Sequence, residues 1–236
     1  MKTRKEIKLL AREALRGQRE TSILLGFVYL LITGVLGIAA PIAAVLPAVL
    51  RGLGRGRSVG MFGVGMGIFW LVHLAVMAVI IVMAVNLYGE YLKIYRGEKG
   101  CVGAMFSSLR VHFFRKLGGI LWMALWVMLW SLLFVIPGII KALSYFATPF
   151  ILAEYPNVTA TEALRLSKRM TKGYKGQLFV MMLSFIAWVL LSGLTLGILG
   201  IVFVFPYLYL TYAGFYTELR DKAIADGVLV EGELGM

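Results

Sequence analysis

The chain has 236 residues, 60% of them hydrophobic, and a mean hydropathy of +0.86. This composition excludes one soluble domain and predicts a polytopic membrane protein. Its 24 Lys and Arg residues outnumber the 12 Asp and Glu residues, which gives a formal net charge of +12.

In a membrane protein, a basic excess indicates cytoplasmic loops and contact with anionic lipid headgroups. We therefore expect membrane lipids, and not nucleic acid, as partners. The single cysteine, Cys101, excludes an intramolecular disulfide and a multi-cysteine metal site. No pattern indicates a cofactor, a zinc site or a P-loop.

Residues 1–20 have the pattern of a basic amphipathic helix at the membrane interface. Its basic face carries Lys5, Lys8, Arg12, Arg16 and Arg19, and its apolar face carries Ile7, Leu10, Ala11 and Ala14. A signal peptide is a less favoured alternative, because the basic region is long and further apolar runs follow.

Residues 21–219 are predicted to form a six-span membrane domain arranged as three helical hairpins. The spans are 22–45, 61–91, 117–137, 139–154, 177–195 and 198–218. The stretch 117–140 has no charged residue and is apolar all round, which is typical of a helix in lipid. The predicted fold is thus an all-α, polytopic membrane bundle with basic amphipathic interfacial helices.

Breaks between the spans are predicted from proline and glycine. Pro41 and Pro47 are expected to end or kink the first span, and Pro137-Gly138 to turn the central hairpin. Residues 51–60 are rich in Gly and Arg and predict a flexible loop, and glycines within 193–200 predict the last turn.

The distribution of Lys and Arg favours an even number of crossings with both termini in the cytoplasm. In that arrangement 20 of the basic residues lie inside, including two in the polar tail, residues 220–236. The four outside are Arg51, Arg55, Arg57 and Lys141. If residues 142–153 were only re-entrant, the five cations that follow would lie outside, so we interpret them as a crossing.

A second basic amphipathic helix is predicted after the central hairpin. Thr159 and Glu162 have the spacing of a capping box, which marks the start of a helix. Its basic face carries Arg165, Lys168, Arg169 and Lys172, opposite Ala163, Leu166 and Met170.

An internal repeat is also suggested by the spacing of three glutamates. Glu90, Glu154 and Glu218 are 64 residues apart, and each ends an even-numbered span next to a tyrosine. Three copies of one hairpin would explain this spacing, although membrane interfaces also collect Tyr and Glu without repetition.

Two polar residues of the second predicted span, His73 and Asn86, are candidates for an intramembrane polar site. Hydrogen bonding between helices is the simpler interpretation of both. Ser58 lies in a G-x-S-x-G pattern, but the strand-to-helix turn that a nucleophile elbow needs is absent. We therefore predict no catalytic residue.

Short motifs in the second half of the chain resemble a known family. They are Ile136-Pro137-Gly138-Ile139-Ile140-Lys141, Ser144-Tyr145, Gly173-Tyr174-Lys175, Leu183-Ser184-Phe185-Ile186-Ala187-Trp188 and Pro206-Tyr207. Together they resemble the bacterial membrane proteins of domain-of-unknown-function family 975 (DUF975), which is distantly similar to the membrane portion of glycerophosphodiester phosphodiesterases. The resemblance implies a six-helix protein of the bacterial inner membrane without an assigned activity.

From these features we expect a non-enzymatic plasma-membrane protein that binds or scaffolds lipids or envelope components through its basic helices. A small transporter or channel with a polar site at His73 is the main alternative. An intramembrane serine hydrolase using Ser58 and His73 is a third, less favoured hypothesis.

Overall fold

A computed structural model describes the backbone of residues 2–53 and 59–234, and their side chains except those of 38–66, 68 and 231. All the regular structure in this part of the chain is helical. The helices are α1 Arg4–Gly17, α2 Arg19–Leu53, α3 Val59–Tyr95, α4 Val102–Ser107, α5 Phe113–Leu133, α6 Val135–Ser144, α7 Thr148–Glu154, α8 Ala160–Met170, α9 Lys175–Leu194 and α10 Phe205–Ala225. A π-helical turn, Gly200–Val204, precedes α10, and a 3-10 turn, Glu231–Leu234, lies near the end.

Within the described residues, six helical segments are long and apolar enough to cross a bilayer. We number them span 1 to span 6: Arg19–Gly37, Phe69–Tyr95, Phe113–Leu133, Val135–Glu154, Lys175–Leu194 and Gly200–Ala225. Each odd-numbered span packs against the even-numbered span that follows it. The prediction of an all-α, polytopic bundle with about six spans is confirmed.

The central hairpin turns at Phe134, three residues before the predicted Pro137-Gly138. Phe134 has extended backbone angles (φ −157°, ψ 145°) and separates α5 from α6. Pro137 lies in the first turn of α6, where its missing amide costs no helical hydrogen bond. Gly138 permits close approach of the two helices, since a Cβ there would lie 2.8 Å from the Cα of Ser131. Span 4 therefore begins at Val135 and has the length of a full crossing.

The turn of the third hairpin was predicted correctly, whereas the end of the first helix of the first hairpin was not. α2 continues past Pro41 and Pro47 to Leu53, so the prediction that a proline ends this helix is wrong. Membrane helices tolerate proline where neighbouring groups compensate for the lost hydrogen bond. Half of the predicted Gly/Arg loop 51–60, namely residues 54–58, lies outside the described residues, and the other half belongs to the ends of α2 and α3. The turn predicted within 193–200 is confirmed, with Gly197 at φ +84°.

The buried core lies towards one end of the bundle. We call this the basal end. It comprises residues 82–96, 143–155, 207–220 and 226–234, together with α1, α4 and α8. Phe150 stacks on Tyr216 with ring centroids 4.9 Å apart, and Tyr91 stacks on Tyr209 at 5.0 Å. The opposite, distal end, residues 69–80, 128–140 and 188–202, exposes most of its apolar side chains.

Candidate functional site

The basic face of α1 is presented outwards because its apolar face packs on the protein. Ile7, Ala11 and Leu15 form one stripe that is buried against α10 and α3. Leu10, predicted for the apolar face, is exposed instead. Of the predicted cations on α1, Lys5, Arg12 and Arg16 are exposed and Lys8 is half-buried. The helix predicted over residues 1–20 ends at Gly17, so the fifth cation, Arg19, is exposed at the first residue of α2 and is counted here with the α1 face.

The start of α1 is fixed by contacts that the sequence analysis missed. The Thr3 amide donates a hydrogen bond to Glu6 Oε2 at 2.7 Å, and the Glu6 amide donates to Thr3 Oγ1 at 3.4 Å. Thr-x-x-Glu spacing was the available signal. Lys2 Nζ donates to Glu218 Oε1 at 2.6 Å, and this hydrogen bond raises the pKa of Lys2. These contacts hold the N-terminus against α10.

The second basic face, on α8, has the geometry that the sequence predicts. The capping box of Thr159 and Glu162 is confirmed. The apolar face of α8 is buried at Ala163, Leu166 and Met170, and α8 packs on α5 and α7. Arg165 and Lys168 are exposed on α8, and Arg169 is half-buried. Lys172 is exposed in the turn that follows the end of α8 at Met170, and is counted here with the α8 face.

Most of these nine cations are not neutralised by the protein. Arg169 Nη1 lies 2.8 Å from Glu233 Oε1. For the other eight, the described part of the chain has no carboxylate within 4.0 Å. By contrast, Arg96 and Arg220, which lie at the same end of the bundle, both pair with Glu154 at 2.7 Å. The two basic faces thus leave positive charge available to an external anion.

Two groups on these helices have shifted pKa values. Burial lowers the pKa of Lys8, and the positive charge of Arg4 lowers it further. The pKa of Glu162 is lowered by hydrogen bonds from the Thr159 hydroxyl, at 2.7 Å, and from the Thr159 amide. Lys8 is half-buried, which removes part of the water around its ammonium and disfavours the charged form.

Asn86 belongs to a buried polar contact whose second member the sequence analysis did not identify. Lys116 Nζ donates to Asn86 Oδ1 at 2.7 Å and to the Ser108 carbonyl at 3.3 Å. Asn86 Nδ2 donates to the Met105 carbonyl at 2.9 Å. Lys116 directly precedes the charge-free stretch 117–140, and no spacing pattern in the sequence links it to Asn86. This network joins α3, α4 and α5, in agreement with the simpler interpretation of Asn86.

His73 lies apart from this network. Its ring stacks on the ring of Phe69, with centroids 6.0 Å apart, and packs edge-to-face with the ring of Trp70, with centroids 5.9 Å apart. Thirteen residues of α3 separate His73 from Asn86, which is about 20 Å along a helix. The two predicted polar residues therefore do not form one site. Ser58, the proposed nucleophile, lies outside the described residues.

The three glutamates spaced 64 residues apart all bind cationic groups at the basal end. Glu90 accepts from Lys93 Nζ at 2.7 Å, and Glu218 accepts from Lys2. Glu154 binds Arg96 and Arg220 and also accepts the Tyr216 hydroxyl at 2.7 Å. The partners differ in kind, since Lys93 lies on the same helix as Glu90, Lys2 lies at the N-terminus, and Arg96 and Arg220 come from the other two hairpins, so the internal repeat stays a prediction.

An apolar cleft of about 710 Å³ opens among α5, α6, α7, α9 and α10. Its walls include Met128, Phe146, Met182 and Ile186, and its polar atoms come from tyrosines such as Tyr212. Such a lining suits a hydrocarbon chain better than a charged solute. The described residues contain no group of three or more His, Cys, Asp or Glu side chains that could hold a metal ion.

Six apolar spans and two outward-facing basic helices define a multi-pass membrane protein of the helical-bundle class. The model of the family described as "Protein of unknown function (DUF975)" matches residues 58–223. The chain belongs to this family, as its motifs predict. No curated protein and no solved structure matches the chain. The more distant similarity to glycerophosphodiester phosphodiesterases stays a prediction.

Proposed function

We propose that this protein is a non-enzymatic lipid-binding or scaffolding protein of the bacterial plasma membrane. Its basic faces on α1 and α8 would bind anionic phospholipid headgroups, with both termini in the cytoplasm. The excess of Lys and Arg at the basal end supports this orientation.

The observation that carries the proposal is the lack of internal partners for the two basic faces. The cations that hold the fold together, Lys2, Arg96 and Arg220, bind carboxylates of the protein. All but Arg169 of the nine cations on the two faces have none within 4.0 Å in the described ranges. Anionic headgroups near a membrane surface contribute about 1 kcal/mol for each Lys or Arg that they meet.

The test compares lipid selectivity before and after the two faces are neutralised. One variant replaces Arg165, Lys168, Arg169 and Lys172 with Gln, and a second replaces the five cations of the α1 face. Native mass spectrometry of the protein in mixed micelles would count bound phosphatidylglycerol against bound phosphatidylcholine. We expect selectivity for phosphatidylglycerol to fall about tenfold or more when both faces are neutralised, which corresponds to at least about 1.4 kcal/mol.

A matched control replaces Arg51, Arg55 and Arg57 with Gln, which removes charge from the predicted loop at the other side of the membrane. This variant should keep the selectivity of the unchanged protein. If the doubly neutralised variant kept it too, or if the control lost as much, the two basic faces would not be the headgroup site.

A further inference from the structure

A groove of about 510 Å³ lies between the first turns of α1 and the side of α9. Its two walls differ in chemistry. Arg4, Lys5 and Lys8 line the α1 wall, whereas Val180 and Met181 lie on the α9 wall. A ligand that fills this groove meets cationic residues on one side and apolar residues on the other.

Lys8 joins the two walls. Its Nζ donates to Ser184 Oγ on α9 at 2.6 Å and lies 4.8 Å from the centroid of the Phe185 ring. The ammonium is thus held against a membrane-spanning helix, where it has lost hydration. An ammonium next to an apolar wall is costly unless a counter-charge accompanies it.

No counter-charge comes from the described part of the protein. The nearest acid in sequence, Glu6, accepts the Thr3 amide at 2.7 Å and forms no salt bridge with Arg4, Lys5 or Lys8. Three cationic residues therefore line the groove, and none of them has a carboxylate within 4.0 Å among the described residues. Oxygens of a phosphate group are suited to this position.

The apolar wall continues along α9 away from the cations. Val180, Ser184, Ala187 and Leu191 recur at helical spacing, and all four are exposed. They form a continuous strip on a candidate span, on which an acyl chain can lie. An inorganic anion would use the basic wall alone.

We propose that this groove is a specific site for one anionic glycerophospholipid. Arg4, Lys5 and Lys8 bind the phosphate, and an acyl chain lies along the strip of α9 that starts at Val180. The inference rests on the proposed function and deepens it, because it assigns one bound lipid to one place on the α1 face.

The experiment places a photoreactive p-benzoylphenylalanine at Val180 in the full-length protein in nanodiscs. The control position is Leu190, which is also exposed on α9 but lies off the strip. Nanodiscs contain phosphatidylglycerol and phosphatidylcholine, and mass spectrometry identifies the lipid in each adduct. We expect phosphatidylglycerol adducts at Val180 to be enriched about fivefold or more over the membrane composition, with no enrichment at Leu190.

Charge variants then test the basic wall. Arg4→Gln combined with Lys5→Gln and Lys8→Gln should abolish the enrichment at Val180. Arg51→Gln combined with Arg55→Gln and Arg57→Gln removes the same number of charges from the predicted loop, outside both basic faces, and should leave the enrichment in place. An excess of inorganic phosphate should not displace the lipid, and displacement would overturn the assignment to a phospholipid.

The outcomes separate this inference from the proposed function. If the protein selects phosphatidylglycerol overall but Val180 shows no enrichment, the groove is not the site and the proposed function stands. If overall selectivity is absent, both fail. Far-UV circular dichroism of each variant checks that it is folded, and a variant that unfolds is replaced by Lys8→Met alone, which must still reduce the enrichment.

Discussion

In every hairpin the even-numbered span is more buried than the odd-numbered span before it. In the most apolar stretch of each span, 28, 56 and 50% of residues are buried in spans 2, 4 and 6, against 17, 11 and 22% in spans 1, 3 and 5. The even-numbered spans therefore form the inner layer of the bundle. The odd-numbered spans form its lipid-facing layer.

Hydropathy does not distinguish these layers, because both consist of helices rich in apolar residues. Lipid chains are as apolar as leucine, so helices in a bilayer associate through close packing and polar contacts. Two such contacts lie where even-numbered spans end: Glu154 binds Arg96 and Arg220 from the other two hairpins, and Glu218 binds Lys2. The two layers thus differ in how much of their apolar stretches is buried, and not in how apolar those stretches are.

Removing a large side chain from the inner layer should have the largest effect. Phe150→Ala deletes a ring that is fully buried. Its centroid lies 4.9 Å from the ring centroids of Tyr88 and of Tyr216. We expect a loss of about 3–5 kcal/mol in the free energy of unfolding, because the cavity cannot close in a packed core. Unfolding by SDS in dodecyl maltoside micelles, followed by circular dichroism, measures this loss.

Leu129→Ala is the matched change in the outer layer, where the side chain is half exposed. It should alter the free energy of unfolding by no more than about 0.5 kcal/mol. Equal losses in the two variants would show that the layers do not differ energetically.

Breaking the central ion network should cost less than the cavity. Glu154→Gln removes the negative charge that lies between Arg96 and Arg220, each 2.7 Å away. The three side chains are between 14 and 26% exposed, so water partly screens them. We expect a loss of about 2 kcal/mol, which is smaller than for a fully buried pair. The same SDS titration measures it.

Asp226→Asn is the control for that variant, since Asp226 pairs with Lys222 in an exposed contact at 2.7 Å. Exposed pairs contribute less than about 1 kcal/mol, and we expect a loss within that limit. A Glu154 variant as stable as the Asp226 variant would show that the network does not hold the three hairpins together.

The sequence predicted the architecture better than the contacts within it. Uninterrupted apolar runs predict spans, and capping residues such as Thr159 predict helix starts, because both depend on neighbours in sequence. The sequence predicted the hairpin turn at Pro137, whereas the chain turns at Phe134. A proline disrupts a helix only beyond the first helical turn, and the sequence alone does not show that Pro137 lies within the first turn of α6.

In the candidate site too, features set by neighbours in sequence were predicted, whereas contacts between distant residues were not. Spacing alone placed Arg165 and Lys168 opposite Leu166, as the structure has them. Spacing could not show that Lys116 contacts Asn86, 30 residues away, or that Lys8 meets Ser184 on another span. Those pairings depend on how the hairpins pack, which one sequence without its fold does not specify.

The smallest effect should come from the cap of α8, which lies outside both layers on the exposed surface. Hydrogen bonds from Thr159 lower the pKa of Glu162 below its ordinary value of 4.5. The carboxylate therefore contributes stability above pH 4.5, and this contribution is lost as the pH falls through the lowered pKa. Glu162→Ala should be slightly less stable than the unchanged protein at pH 7, and the difference should shrink under acidic conditions.

Glu13→Ala provides the comparison on the other basic helix, since Glu13 is exposed and makes no side-chain hydrogen bond among the described residues. Because it removes no cap, it should change the free energy of unfolding at pH 7 by no more than about 0.5 kcal/mol. SDS unfolding of the Glu162→Ala variant, the Glu13→Ala variant and the unchanged protein, at pH 7 and near pH 4, measures the free energy of unfolding of each. A Glu162 effect that grew on acidification would contradict the cap, because a protonated carboxyl accepts the Thr159 amide less well than the carboxylate does.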